Sequence, residues 1–255
     1  MILSLGQARA LAHAAMTGVG HSEREAEVIA DHLIDCELRG LAFGGLSRAV
    51  SVVERIQATA AARQPIGVER ETPVSAAIDG GDQVGYLVAQ QATELAIAKA
   101  RTSGVAVIGA RNTWYTGMFS YYLEQVTAAG FLGMAAGSGA HIVAPHGGSQ
   151  ARFGTNPIAF GFPTSGSPVI WDIGTSSVML GEVLQRHREG GPWMPGTPSM
   201  PTAVPPRTRW PPSSEALSPC GAATRDPGSP WSCNCWAWPV ERRPRPTAYP
   251  TAGSC

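Results

Sequence analysis

Residues 191–255 lack the residue types from which a protein core is built. They contain no Ile, Phe or Lys and a single Leu, yet they hold 15 of the 21 prolines and four of the five cysteines. A segment with so few aliphatic side chains cannot bury enough apolar surface to offset its conformational entropy. We therefore expect a disordered tail and read function from residues 1–190.

Codon arithmetic offers a reason for this break in composition. Because Trp, Cys and Asn have few codons, a shift of one base must turn Asn234-Cys235-Trp236 into two leucines. The shifted frame over 233–239 reads Gln-Leu-Leu-Gly-(Leu/Val/Met)-Ala, an apolar run compatible with a helix. We expect a frameshift of one base between about Gln185 and Pro192, which resequencing of those codons tests. A genuine proline-rich disordered tail is the alternative.

Residues 1–190 are also poor in several features that mark other protein classes. Cys36 is their only cysteine, so there is no disulfide framework, and a reducing compartment, the cytoplasm, is expected. These residues contain no basic stripe that would indicate nucleic-acid binding. They also contain no long apolar run that would indicate a signal peptide or a membrane span. Cys233 and Cys235 form a CxC without a second ligand pair, so we expect no metal site.

Hydrophobic periodicity predicts an α/β fold. Helical spacing comes first, and Ser22 with Glu25 forms a capping box at the start of a long amphipathic helix. Strands and helices then alternate, which indicates a layered α/β arrangement. The predicted division is a helical region at 1–60, an incomplete α/β cofactor and substrate domain at 61–190, and the tail at 191–255. The predicted helices are Ser4–Met16, Glu23–Leu38, Leu46–Ala58, Tyr86–Arg101 and Ser120–Ala129; the predicted strands are Val74–Asp79, Val105–Ala110, Phe131–Ala136, Ile158–Phe162 and Val169–Asp172.

The usual nucleotide-binding signatures are missing from this arrangement. Gly137-Ser-Gly139 lacks the third glycine of GxGxxG, and no GxxxxGK[ST] occurs. A bound nucleotide would therefore need a scaffold other than a Rossmann fold or a P-loop.

Polar and glycine-rich segments between the core elements carry the functional signal, since function is often placed on loops. In this order they resemble the type 2 malate/lactate dehydrogenase family, over roughly residues 1–190. The five segments are Glu37–Arg48, Arg111–Met118, Val143–Gly148, Gly154–Phe160 and Trp171–Ser176.

The resemblance implies a homodimeric, non-Rossmann oxidoreductase with a helical N-terminal region and a mixed-sheet cofactor domain. It implies hydride transfer between NAD or NADP and a small 2-hydroxy or 2-oxo acid; some members reduce cyclic imino acids. Such chemistry needs a cation for the carboxylate, an acid for the carbonyl oxygen, and backbone donors for the cofactor phosphates.

The chain departs from the family pattern at the catalytic motif. Arg48 lies where the family has an arginine, and its planar fork suits a carboxylate; pairing or capping on a helix is the alternative. The family's Ser-His-Gly aligns with Phe43-Gly44-Gly45, so Gly44 replaces the histidine that donates the proton. A second family histidine aligns with Tyr115.

Tyr115 is the leading candidate for a substitute acid, because a phenol beside a cation can have a lowered pKa. Packing of the aromatic pair Trp114-Tyr115 at a strand end is the alternative. His141 and His146 are further candidates, against the simpler interpretation of exposed or hydrogen-bonded loop histidines.

The predicted cofactor contacts lie near the end of the intact region. Asp172 ends an apolar strand. A carboxylate at this place can orient an acid or bind a ribose hydroxyl, and the alternative is that it caps the helix that follows. Family correspondence implies that this set contacts the cofactor: Gly154, Thr155, Asn156, Asp172, Gly174, Thr175 and Ser176.

We expect the encoded protein to be an NAD(P)-dependent dehydrogenase and this chain to be truncated, impaired and prone to aggregation. Later cofactor segments of the family would fall in the shifted region, leaving apolar surface exposed. The alternatives are a non-catalytic relative that kept the scaffold, or a pseudogene product without function.

Overall fold

A computed structural model describes residues 3–59, 62–146, 150–176, 179–188 and 235–242 of the chain. Of the last range, only the backbone is described. Most of the predicted tail, 191–234 and 243–255, lies outside the described residues, as do Cys233 and part of the predicted 143–148 segment.

The chain begins with three helices joined by short turns. The hydroxyls of Ser4 and Ser22 each accept a hydrogen bond from the third helical N–H, and the side chains of Gln7 and Glu25 return a bond to the cap. These caps satisfy backbone groups that a helix start leaves open, so the second helix begins at Glu23 as predicted and the first begins one residue after the predicted Ser4. The elements are α1 (Leu5–Thr17), α2 (Glu23–Leu38), a 3-10 turn (Ala42–Gly44) and α3 (Leu46–Ala58).

A strand–helix–strand unit follows these helices. The second and third strands of the sheet pair in parallel, and the helix between them makes the crossover that parallel strands need. A short exposed strand pairs antiparallel on the outer side. The elements are β1 (Gly67–Glu71), β2 (Ser75–Val84), α4 (Gly85–Ser103) and β3 (Val107–Trp114).

The next part of the chain is a helix followed by an antiparallel meander. The fourth and fifth strands pair, as do the fifth and sixth, each pair antiparallel. The elements are α5 (Ser120–Ala128), β4 (Phe131–Gly137), β5 (Ile158–Phe162), β6 (Val169–Ile173) and α6 (Leu180–Arg188).

One segment of the predicted disordered tail is a strand, so that prediction is wrong at these residues. β7 (Cys235–Arg242) lies between β3 and β4 and runs antiparallel to both, completing the order β1-β2-β3-β7-β4-β5-β6. The gap between β3 and β4 explains the difference, because two open strand edges bind a further strand. The ladder with β4 shifts register opposite Pro239, where proline lacks the N–H that a ladder requires.

Three buried clusters hold these layers together. The first joins α1, α2 and α3 to residues at the ends of β2 and β3, including Val84 and Trp114. The second lies between α4 and the β2–β3 pair, and the third under α5. The first cluster contains residues from both sides of position 60, where the sequence analysis put a domain boundary. That boundary stays a prediction.

The mixed seven-stranded sheet with helices confirms the predicted α/β fold class. Within the described residues, no helix combines the length and the apolar character that a membrane crossing needs.

Candidate active site

Arg48 and Tyr115, which are 67 positions apart in sequence, meet in the structure. Arg48 lies in the first turn of α3, and Tyr115 follows the last residue of β3. The guanidinium carbon of Arg48 lies 4.7 Å from the centroid of the Tyr115 ring, within range of a cation–π interaction. The structure therefore brings together two of the five candidate catalytic residues named in the sequence analysis.

The guanidinium of Arg48 has unused hydrogen-bonding capacity. Its Nη1 atom is buried and has no partner among the described residues. The other amino group, Nη2, packs so closely on Gly181 of α6 that a side chain there would collide with it. A buried N–H without an acceptor costs free energy that a bound carboxylate would recover.

The position of the missing histidine lies against a thiol. A Cβ atom built on Gly44 would be 3.2 Å from the Sγ atom of Cys36, which lies on α2. Burial, with the charge of Asp35 next, raises the pKa of Cys36 to about 12, so the group is a neutral thiol at physiological pH. It is a free cysteine with no disulfide partner in the described chain.

Tyr86 completes the group around Arg48. This tyrosine is fully buried, and burial raises its pKa although the charge of Arg48 acts in the opposite direction. Its phenol is therefore protonated at physiological pH. Sequence reasoning missed Tyr86, Cys36 and Gly181, because no local motif indicates which distant side chains border an arginine.

The segment that carries Tyr115 is held on both sides. Tyr115 has a φ of 54°, a left-handed conformation that is strained for a residue with an aromatic side chain. Before it, the Trp114 Nε1 atom donates to the carbonyl oxygen of Asp82 at 3.0 Å. After it, the carbonyl oxygen of Thr116 accepts from the Tyr122 hydroxyl at 2.7 Å. These bonds fix the tyrosine across Arg48.

Asp172 has a structural contact. Its Oδ2 atom accepts a hydrogen bond of 2.8 Å from the backbone N–H of Ser120, the first residue of α5. A carboxylate at a helix N-terminus stabilises the helix through this bond and the helix dipole. The cap considered from the sequence was on the helix after Asp172, whereas this contact is to a helix that precedes it in the chain. A role for Asp172 in catalysis or at a ribose stays a prediction.

The two predicted cofactor segments lie side by side. The backbone N–H and the hydroxyl of Thr175 both reach the carbonyl oxygen of Thr155, at 2.9 and 3.1 Å. The antiparallel pairing of β5 with β6 causes this contact, because the 154–156 segment precedes one strand and the 174–176 segment follows the other. Asn156 has a φ of 37°, and its Oδ1 atom is buried with no donor among the described residues.

His141 and His146 lie in an exposed loop. That loop is closed by pairing of Val143 with Phe153, and no contact within the described residues joins either histidine to Arg48 or Tyr115. The structure thus does not bring these two candidates to the arginine.

A polar cleft of about 440 Å³ lies beside Trp114, and it was not expected from the sequence. Arg55 stacks on the indole ring at 4.5 Å and pairs with Asp82, while Arg63 bonds to His21 and to the carbonyl oxygen of Val19. None of the predicted site residues lines it. Arg55 and Arg63 both have partners there, although the Nε atom of Arg55, like Nη1 of Arg48, is buried with no partner among the described residues.

Comparisons with known proteins give one family. The sequence profile of the malate/L-lactate dehydrogenases matches residues 3–197. A malate dehydrogenase of Pyrococcus abyssi is 35% identical over 176 residues, which are 69% of this chain and 49% of that protein. An L-sulfolactate dehydrogenase of Methanothermobacter thermautotrophicus is 33% identical over 176 residues, 69% of this chain and 52% of that protein.

The fold agrees with the sequence match. The structure of a malate dehydrogenase from Pyrococcus horikoshii matches with a TM-score of 0.67 and 31% identity, covering 72% of this chain and 53% of that one. The chain thus spans about half the length of the curated relatives that it matches.

Proposed function

The chain belongs to the malate/L-lactate dehydrogenase family, and from this premise we propose that it is an NAD(P)-dependent oxidoreductase that acts on a small 2-hydroxy or 2-oxo acid. The observation that carries the proposal is the Nη1 atom of Arg48 beside Tyr115, which is buried with no partner among the described residues. We further propose that the protein is a homodimer, as the family resemblance implies, and that it works in the cytoplasm, as the single cysteine of residues 1–190 indicates.

Arg48 binds the substrate carboxylate in this proposal. Its guanidinium supplies a permanent positive charge, and stacking on Tyr115 holds the guanidinium plane in place. Because Gly181 presses on Nη2, the donor proposed for the carboxylate is Nη1, which has no partner among the described residues.

Tyr115 is the proposed proton donor. Gly44 has no side chain that transfers a proton, and the Cys36 thiol beside it has a pKa of about 12, which makes it a poor acid. In this proposal the phenol of Tyr115, whose ring lies against the guanidinium of Arg48, protonates the carbonyl oxygen of a 2-oxo acid.

The residues that would hold a nicotinamide cofactor fit that role. The Oδ1 atom of Asn156 has no donor among the described residues, and in this proposal an amide or a ribose hydroxyl of the cofactor supplies one. The pairing of the 154–156 and 174–176 segments supports a shared role at the cofactor. When bound, the nicotinamide gives or takes the hydride. The chain's own residues bind and orient the acid and move the proton.

Two substitutions test the proposal. Tyr115→Phe removes the acid and keeps the ring on Arg48, so kcat should fall by about a hundredfold or more with cofactor binding retained. Arg48→Gln removes the charge, so the KM for oxaloacetate should rise by roughly ten- to a hundredfold, the equivalent of one charged hydrogen bond. Oxidation of NADH and NADPH with oxaloacetate or pyruvate is the assay.

A matched control is available on the same helix. Arg55 lies seven residues after Arg48 and stacks on the neighbouring Trp114, so Arg55→Gln removes a comparable contact outside the proposed site. Equal losses in the Arg48 and Arg55 variants would contradict a specific role for Arg48.

A non-catalytic relative is the second candidate, and the glycine at position 44 favours it. Such a protein would bind NADH or NADPH without turning over any acid. Cofactor binding without detectable oxidation, unchanged in Tyr115→Phe, would support this candidate over the enzyme. The chain as it stands is proposed to be impaired.

A further inference from the structure

His32 is a buried histidine that neither the family resemblance nor the proposed reaction uses. It lies in the middle of α2, it is 1% exposed, and its ring contacts the rings of Tyr86, Tyr121 and Tyr122 at centroid distances of 4.7, 4.5 and 5.4 Å. Three aromatic neighbours would suit an apolar side chain, so the presence of a histidine calls for a polar role.

The polar contact of His32 is to the loop that carries Tyr115. The backbone N–H of Met118 donates to His32 Nε2 at 3.1 Å. Because Nε2 accepts, the ring proton is on Nδ1, which is buried without a partner among the described residues. Burial lowers the pKa of His32 to about 3, which keeps Nε2 available as an acceptor at physiological pH.

The loop presses directly against this ring. Gly117 has a φ of 79°, and a Cβ atom there would overlap both His32 and Tyr86. Only glycine lets the backbone approach so closely in this conformation. The segment after Tyr115 is thus fixed at two points, by the bond from Tyr122 to Thr116 and by the bond from Met118 to His32.

From these contacts we infer that His32 is a positioning residue: through its bond to Met118 it fixes the loop so that Tyr115 holds Arg48 in the orientation that binds a carboxylate. The inference rests on the proposed function for its consequence, and on the His32–Met118 contact for its cause. The histidine itself touches no substrate.

Three variants of His32 separate the hydrogen bond from the packing. His32→Phe keeps an aromatic ring and removes the acceptor. His32→Gln places an amide oxygen near the former position of Nε2, whereas His32→Asn places one nearer to Nδ1. Tyr121→Phe is the matched control, since it removes a hydrogen bond to Asp31 beside the same ring without touching the loop.

Two readouts are measured on the full chain. The first is hydrogen exchange of the Met118 amide, which should be at least tenfold faster in His32→Phe and His32→Asn and close to the unaltered rate in His32→Gln and Tyr121→Phe. The second is the affinity for oxalate, a planar dicarboxylate probe, by calorimetry with NADH or NADPH present. It should weaken about tenfold in the first two variants and be retained in the other two.

The outcomes distinguish this inference from the proposed function. Unchanged Met118 exchange in His32→Phe, or a glutamine variant as impaired as the phenylalanine variant, would overturn the inference. If the unaltered chain binds no oxalate with either nucleotide, the proposed function fails, and Met118 exchange still decides whether His32 fixes the loop. A lower melting temperature with unchanged oxalate affinity would reduce His32 to a purely structural role.

Discussion

At the scale of single residues, Arg48 shows what a motif establishes and what it leaves open. The family resemblance implied that Arg48 binds a carboxylate. The structure adds the contact with Tyr115 and a buried Nη1 atom with no partner among the described residues. Neither Cys36 nor Tyr86 was predictable, because their proximity to Arg48 depends on how α2 and α4 pack. Asp172 was placed on the correct strand, but its bond to Ser120 arises from a helix distant in sequence.

A histidine at position 44 should add a second proton donor to the one proposed at Tyr115. Gly44→His supplies the group that the family resemblance places there, and a positioned acid contributes roughly 10²- to 10⁴-fold to rate. The Sγ atom of Cys36, 3.2 Å from the new Cβ, must move by a few tenths of an ångström, so the pair Gly44→His with Cys36→Ala should do at least as well.

Rates of NADH and NADPH oxidation with oxaloacetate measure this effect. Gly44→Gln is the control, because it fills the same space without a titrating group. Equal rates in the histidine and glutamine variants would show that the missing acid is not what limits this chain.

At the scale of elements, the sequence predicted those with strong periodicity or clear caps. The bounds of α2 and α3 agree with the prediction to the residue, since capping residues and a glycine-rich break fix their ends. β1 was missed because all five of its residues are exposed and no apolar alternation marks it. β3 extends to Trp114, beyond the predicted end at Ala110, because parallel pairing with β2 continues through the polar residues.

Helix α2 and the turn before it should lose stability in acid. Burial, followed by the charge of Arg63, lowers the pKa of His21 from 6.5 to about 4, and burial lowers that of His32 to about 3. Since both folded values lie below the unfolded value, the unfolded chain binds more protons. The contribution of these two histidines to the free energy of unfolding is fully present above about pH 6.5. It falls as the pH is lowered toward 4, by up to about 1.4 kcal/mol per pH unit for each histidine.

Urea denaturation at several pH values between 7 and 4 measures this slope. His21→Gln should flatten it, whereas His146→Gln, in an exposed loop, should leave it unchanged. Identical slopes in the unaltered chain and the His21 variant would contradict the assignment.

At the scale of the whole molecule, the outer end of the sheet exposes apolar side chains. β6 is an edge strand, and Val169, Trp171 and Ile173 on it are 55, 51 and 36% exposed. A paired or covered edge is the usual state of such a strand. The sequence indicated apolar surface of this kind from the break at residue 191, although it did not indicate which strand would carry it.

We expect this edge to cause self-association. Val169→Lys combined with Ile173→Lys should reduce aggregation, because charges on an edge strand oppose pairing with another chain. Val50→Lys is the control, since Val50 is 48% exposed but lies on a helix. Light scattering against protein concentration measures the effect, and equal scattering from both variants would rule out β6 as the cause.

The position of β7 in the sheet has a consequence during protein synthesis. β7 is hydrogen-bonded to both β3 and β4, and it is made last of the described elements. From Gly137, the end of β4, to Arg242 the ribosome must add a further 105 residues. At about 5 to 20 residues per second this takes on the order of 5 to 20 s. For that interval the nascent chain carries two unpaired strand edges in the middle of its sheet, where another nascent chain or a chaperone can bind first.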